Sequence, residues 1–112
     1  MKRIFSILAI ALTMLVSFTF GQPAFGELSA GAKIFNNNCA QCHAGGRNNV
    51  VAAKTLKADD LEKYGKNTVE AIILQVTNGK GAMPAFGKKL KAEEIELVSN
   101  YVLEQAKNGW AK

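Results

Sequence analysis

Apolar residues in this chain form one continuous run near the start and then stripes at helical spacing. Lys2 and Arg3 precede an almost uncharged run from Ile4 to Phe20, closed by Gly21, Gln22, Pro23, Ala24, Phe25 and Gly26. Basic, then apolar, then small residues predict a secretory leader over residues 1–26. Ala24 and Gly26 shortly before Glu27 put the cleavage after Gly26. An uncleaved anchor is the alternative, with a run at the short end of what crosses a bilayer. Beyond the leader the period is helical. Leu28 to Asn38 mixes small, apolar and polar residues and runs up to Cys39, and Gly45-Gly46 ends the turn after it. Ala58 to Tyr64 reads as a short helix closed by Gly65. In Asn67 to Val76, Asn67 as cap with Glu70 three residues on approximates a capping box, and Val69, Ile72, Ile73 and Val76 share a face. Ala92 to Lys107 carries the strongest signal. Glu93, Glu94 and Glu96 at its start and Lys107 at its end suit the helix dipole, and Ile95, Val98, Tyr101 and Val102 form a stripe. The expectation is an all-α domain over residues 27–112, about four helices joined by loops around a cofactor.

Composition bounds this picture without changing it. The 112 residues, 48% hydrophobic with both charge signs, suit one small domain. The formal charge is +5, and losing Lys2 and Arg3 with the leader leaves +3. The basic residues are dispersed among acids, with no dense run and no aromatic alternation, which argues against a nucleic-acid partner. No stable membrane insertion is expected once the leader is cleaved. A core this small is marginal without a staple. A disulfide between Cys39 and Cys42 would close too short a loop to provide one.

Cys39-Ala40-Gln41-Cys42-His43 is the C-x-x-C-H pattern of covalent c-type haem attachment. On a helical turn, residues three and four apart share a face. Two thiols can then add to the two vinyl groups of one porphyrin while His43 reaches the iron from the same side. The competing reading is a thioredoxin-like dithiol, which belongs in a βαβ setting absent here and leaves His43 idle. Past the leader, Met83 is the lone methionine and His43 the lone histidine, so Met83 is the candidate for the second axial position, with a lysine as the residual one. Met83 sits in a Gly/Pro loop, Gly79 to Gly87, where Pro84 biases it towards an extended conformation.

With those residues in view, the mature chain resembles a class I cytochrome c and, within that class, the cytochrome c6 family of cyanobacteria and algal chloroplasts. The resembling segments are Gly31 with Ile34-Phe35, Asn48-Asn49-Val50-Val51, Lys54-Thr55-Leu56, Gln75 to Lys80, and Ala82 to Phe86. The resemblance implies a class I cytochrome c fold around one haem c, its first helix packed across its last with Gly31 and Phe35 against Tyr101. It implies that Gln75 approaches the haem and that Asn48, Lys54 and Thr55 lie near the propionates. It implies a carrier taking single electrons from the cytochrome b6f complex to photosystem I in the thylakoid lumen, or the cyanobacterial lumen or periplasm, with a terminal oxidase as a further acceptor. A generic bacterial class I cytochrome donating to a respiratory oxidase is the alternative. Where many members have Gly-Gly-Arg-Leu, this chain has Gly87-Lys88-Lys89-Leu90, which keeps the charge but not the planar guanidinium fork.

Other classes of function fit the residues less well. A small peroxidase needs an open iron face and a distal acid-base group; there is no second histidine, and Met83 is available to close the face. A gas sensor or the haem domain of a larger complex finds no linker or second domain in its support. Phe35, Tyr101 and Trp110 at helical spacing read as core rather than as an electron relay. Docking of a carrier is expected at a small contact, apolar at the haem edge with steering charges around it. Lys88 and Lys89 are assigned to that rim, whereas Lys107 and Lys112 are not. The plainer reading of Lys88 and Lys89 is the solvated start of a helix.

Overall fold

The computed structural model describes residues 25–111. The expected leader therefore lies outside the described residues except for Phe25 and Gly26, which form the start of the first helix. In chain order the elements are α1 (Phe25–Asn38), α2 (Ala40–His43), a 3-10 turn (Ala44–Gly46), α3 (Ala58–Lys63), α4 (Val69–Asn78) and α5 (Ala92–Lys107). The described residues contain no strand, only an isolated bridge between Lys80 and Met83. No described helix is long and apolar enough to cross a membrane.

The helices are those the periodicity predicts, with four corrections. α1 begins at Phe25 rather than Leu28. The Cys-x-x-Cys-His segment is a helical turn of its own, giving five α-helices among the described residues where about four were expected. The cap of α4 is Thr68, not Asn67. Thr68 has extended backbone, and its Oγ1 accepts from the Ala71 amide at 3.1 Å. A capping side chain must stand at the last non-helical residue to reach the free amides of the first turn, and Asn67 is one position too early. α4 also runs past Val76 to Asn78, where Gly79 stops it with φ +65°.

α1 and α5 cross at closest approach over Gly31. A Cβ there would stand 2.5 Å from the Leu97 carbonyl oxygen and 2.7 Å from the Tyr101 Cβ, so the two backbones nearly touch. One turn on, Phe35 packs on Tyr101 with ring centroids 5.3 Å apart. The buried stripe of α5 is Ile95, Val98, Val102 and Ala106, joined by Phe35, Leu61, Ile72, Val76 and Phe86 from the rest of the chain. Ser99 is fully buried within this stripe, and its hydroxyl is satisfied by donation to the Ile95 carbonyl at 2.6 Å. Gly31→Ala is expected to push α1 off α5 and to destabilise the protein by roughly 1–3 kcal/mol, the usual penalty of overpacking. Thermal denaturation of the loaded protein checks this, and an unchanged midpoint would mean that the crossing tolerates a methyl group.

Candidate functional site

The core does not close on itself. Between α2, α4, α5 and the loops after the 3-10 turn and after α4 lies a cleft of about 530 Å³, within the range of small-molecule and cofactor sites. Its deep walls are apolar: Phe35, Ile72, Val76, Phe86, Val98 and Val102.

α2 brings Cys39, Cys42 and His43 to this cleft. The turn is held by the Cys39 carbonyl, which accepts from the amides of Cys42 at 3.1 Å and His43 at 2.9 Å. Both cysteines are free and half-buried. Burial pushes the Cys39 thiol up to about 11, so it is protonated at neutral pH. His43 Nδ1 lies 2.9 Å from the Arg47 carbonyl oxygen. A carbonyl can only accept, so Nδ1 is the donor to it and Nε2 is the ring nitrogen left to face a metal.

The loop after α4 brings Met83 to the same cleft. Two reciprocal backbone bonds, Lys80 amide to Met83 carbonyl and Met83 amide to Lys80 carbonyl, each 3.0 Å, tie the turn. Gly79 makes it possible, since a Cβ there would lie 2.5 Å from the Met83 carbonyl oxygen. The Phe86 and Gly87 amides donate to Val76 and Thr77 at 2.9 and 3.1 Å, which fastens the loop to the end of α4. Gln75 projects from that helix, and its Nε2 donates to Met83 Sδ at 3.8 Å.

The loop between the 3-10 turn and α3 closes another side. Asn48 accepts through Oδ1 from the amides of Val50 and Val51 at 3.0 and 2.8 Å, and donates through Nδ2 to the Lys54 carbonyl at 2.9 Å. It thereby folds the loop and leaves Val50 and Val51 exposed at the cleft's lip. Thr55 donates from both its amide and its hydroxyl to Asp60 Oδ2, at 3.1 and 2.5 Å. These bonds, the hydroxyl's first, hold the Asp60 carboxyl below its ordinary range. The Lys54 ammonium lies 5.3 Å from the Tyr64 ring centroid.

Every residue read from the sequence as a haem attachment, ligand or contact position lines this one cleft: Cys39, Cys42, His43, Asn48, Lys54, Thr55, Gln75 and Met83. Lys88 and Lys89 are exposed beside it, and the Lys89 ammonium stands 5.4 Å from the ring of Phe86, a wall residue. Lys107 does not line the cleft, and Lys112 lies outside the described residues. Tyr64 and Asp60 also line it; sequence reasoning passed over both, because nothing in the local pattern separates them from surface residues of a short helix end.

A helical shell around an apolar cleft, with a Cys-x-x-Cys-His turn and a lone methionine on its wall, defines a class I c-type cytochrome. The residues suit a haem: an imidazole and a soft thioether as donors for the iron and two thiols for the porphyrin's vinyl groups, beside room for a macrocycle. Residues 26–102 match the family described as "Cytochrome C oxidase, cbb3-type, subunit III". The chain is 57% identical over 111 residues to cytochrome c6 of Nostoc sp., spanning 98% of this chain and 99% of that one. It is 68% identical over 80 residues to cytochrome c6 of Microcystis aeruginosa, covering 71% of this chain and 99% of that one. The solved structure of cytochrome c6 from the diatom Phaeodactylum tricornutum superposes with a TM-score of 0.73 at 53% identity, over 74% of this chain and 98% of that one. The chain belongs to the cytochrome c6 family. It is a haem electron carrier with one covalently attached haem c.

Proposed function

We propose that this protein moves single electrons from the cytochrome b6f complex to photosystem I. In this reading Cys39 and Cys42 hold the haem through thioethers, and His43 Nε2 and Met83 Sδ are the axial ligands. The observation that carries it is the convergence of all four residues on one apolar cleft whose lip bears the exposed Val50 and Val51. The haem supplies a one-electron iron couple. The protein's residues do the rest: two axial side chains leave no position for a substrate, and the apolar walls keep water away. The lip offers partners a small dry contact that forms and breaks quickly. The homologues from cyanobacteria and a diatom support the photosynthetic assignment and, with it, export to the thylakoid lumen or the cyanobacterial periplasm. The leader, residues 1–26, would be the address.

Lys88 and Lys89 are the proposed steering charges. Lys89→Gln should slow the second-order oxidation of the reduced protein by flash-excited photosystem I and flatten its salt dependence, since screening acts over about a Debye length. Lys107→Gln should change neither. Equal effects of the two changes would move the docking face elsewhere, and a photosystem that accepts no electrons from the protein would sink the assignment. The second reading, donation to a terminal oxidase, has the oxidase description of the matching family in its favour. The same kinetics with oxidase-containing membranes decide between them.

Gln75 is proposed to tune the potential. Its amide proton on the Met83 sulfur draws electron density from the thioether, which disfavours the ferric state. Gln75→Val is expected to lower the midpoint by about 40 mV, the one-electron equivalent of a hydrogen bond worth roughly 1 kcal/mol. Redox titration checks this, and a rise would reverse the assigned sign.

A further inference from the structure

We infer that Trp110 is a positioning residue for His43: its indole clamps the start of the loop before α3 against the end of α5, and so holds the carbonyl that orients the histidine ring. The inference rests on His43 being an axial ligand and extends that reading to the far end of the chain.

Its starting point is backbone conformation. After α5, Gly109 and Trp110 both take left-handed φ, +67° and +57°. Glycine does so freely, but for a bulky residue this region is disfavoured. Such a conformation persists where the surroundings over-determine it. Here they do. The Trp110 amide donates to the Gln105 carbonyl at 2.8 Å, and the indole Nε1 donates to the Leu56 carbonyl at 3.0 Å, across 54 positions of sequence. The ring packs on Phe35 and Tyr101, with centroids 5.4 and 6.2 Å away.

The same ring lies directly on the 3-10 turn. A Cβ on Gly46 would stand 2.5 Å from Trp110 Cδ1, and Gly46 itself has φ +78°. The Gly46 carbonyl accepts from the Leu56 amide at 2.8 Å. Leu56 thus donates to the turn and accepts from the indole, which makes it the rivet between them. The residue after Gly46 is Arg47, whose carbonyl receives the His43 Nδ1 proton at 2.9 Å. The path from indole to imidazole therefore runs through Leu56, Gly46 and Arg47 in contiguous bonds. A histidine that donates through Nδ1 is a stronger ligand at Nε2, and a stronger donor favours ferric iron. Loosening the Arg47 carbonyl should weaken that donor and raise the midpoint.

The test uses the loaded protein with Trp110→Phe, which keeps an aromatic ring against Phe35 and Tyr101 but deletes the N–H donor together with the five-membered ring that lies on Gly46. A second variant, ending at Asn108, removes the clamp altogether. Amide exchange at Leu56 and Arg47 is expected to accelerate on the order of tenfold in Trp110→Phe and further in the shortened chain. The Phe86 amide, in the Met83 loop, should be unchanged, and the midpoint should rise in both variants. Unchanged exchange at Leu56, or acceleration that includes Phe86 equally, would overturn the clamp. Faster exchange with an unmoved midpoint would overturn its reach to His43. The proton spectrum of the oxidised protein separates this failure from that of the underlying reading: if the His43 ring protons lack paramagnetic shifts, His43 is not on the iron.

Discussion

Replacing Met83 by histidine is expected to lower the midpoint potential by an amount on the order of hundreds of millivolts, within the span that axial ligands set. A neutral, soft sulfur stabilises ferrous iron better than a nitrogen donor does. The loop can present the new side chain, because its shape comes from backbone bonds between Lys80 and Met83 and from Gly79, and not from the thioether. Covalent haem should be retained, since Cys39 and Cys42 are on a separate element. Redox titration of the two proteins checks this. Equal midpoints would show that Met83 is not a ligand.

Changing both Cys39 and Cys42 to alanine should have the largest effect on stability. The native protein should hold its haem through acid-acetone extraction and weigh the chain from about Glu27 plus one haem; the double variant should release it. Two thioethers close the same short loop as a disulfide would and add little chain entropy, but they tether the haem and make its binding intramolecular; their loss is expected to lower the thermal midpoint by roughly 10–30 °C, corresponding to about 2–5 kcal/mol. For the apoprotein the consequence is larger. Without the haem, the apolar walls of this open cleft, about 530 Å³, would face water and lose their packing partner, in a chain whose core is already marginal for its size. Chain made without haem attachment should therefore be loosely folded, with weak near-ultraviolet dichroism. A well-packed apoprotein would show that the helices alone suffice.

Much of this was legible before any fold was known. Cys39, Cys42 and His43 lie within five residues, and a chemical demand met within one helical turn leaves a mark in the linear sequence. Met83 follows from scarcity, as the lone methionine past the leader in a Gly/Pro loop. The α5 stripe is legible because one face of a long helix is buried against the rest of the chain. The α4 cap was misjudged for a local reason: Asn67 and Thr68 are adjacent and both cap helices, and only the backbone angles decide which stands at the boundary.

Tertiary structure decided everything that depends on residues far apart in sequence. That Gln75 donates to Met83, that Thr55 holds Asp60 in the wall, and that Lys89 lies over Phe86 are facts of loop geometry. Periodicity says which face of a helix is apolar but not which loop will reach it. Trp110 is the extreme case: in the sequence it is one aromatic near the end, whereas in the fold it bonds to Leu56 and lies on Gly46. Short-range patterns record the interactions a residue makes within its own turn or helix. The cleft is made between elements, so its shape and the bonds that tune it appear only once α1 and α5 have crossed and the loops are drawn across them.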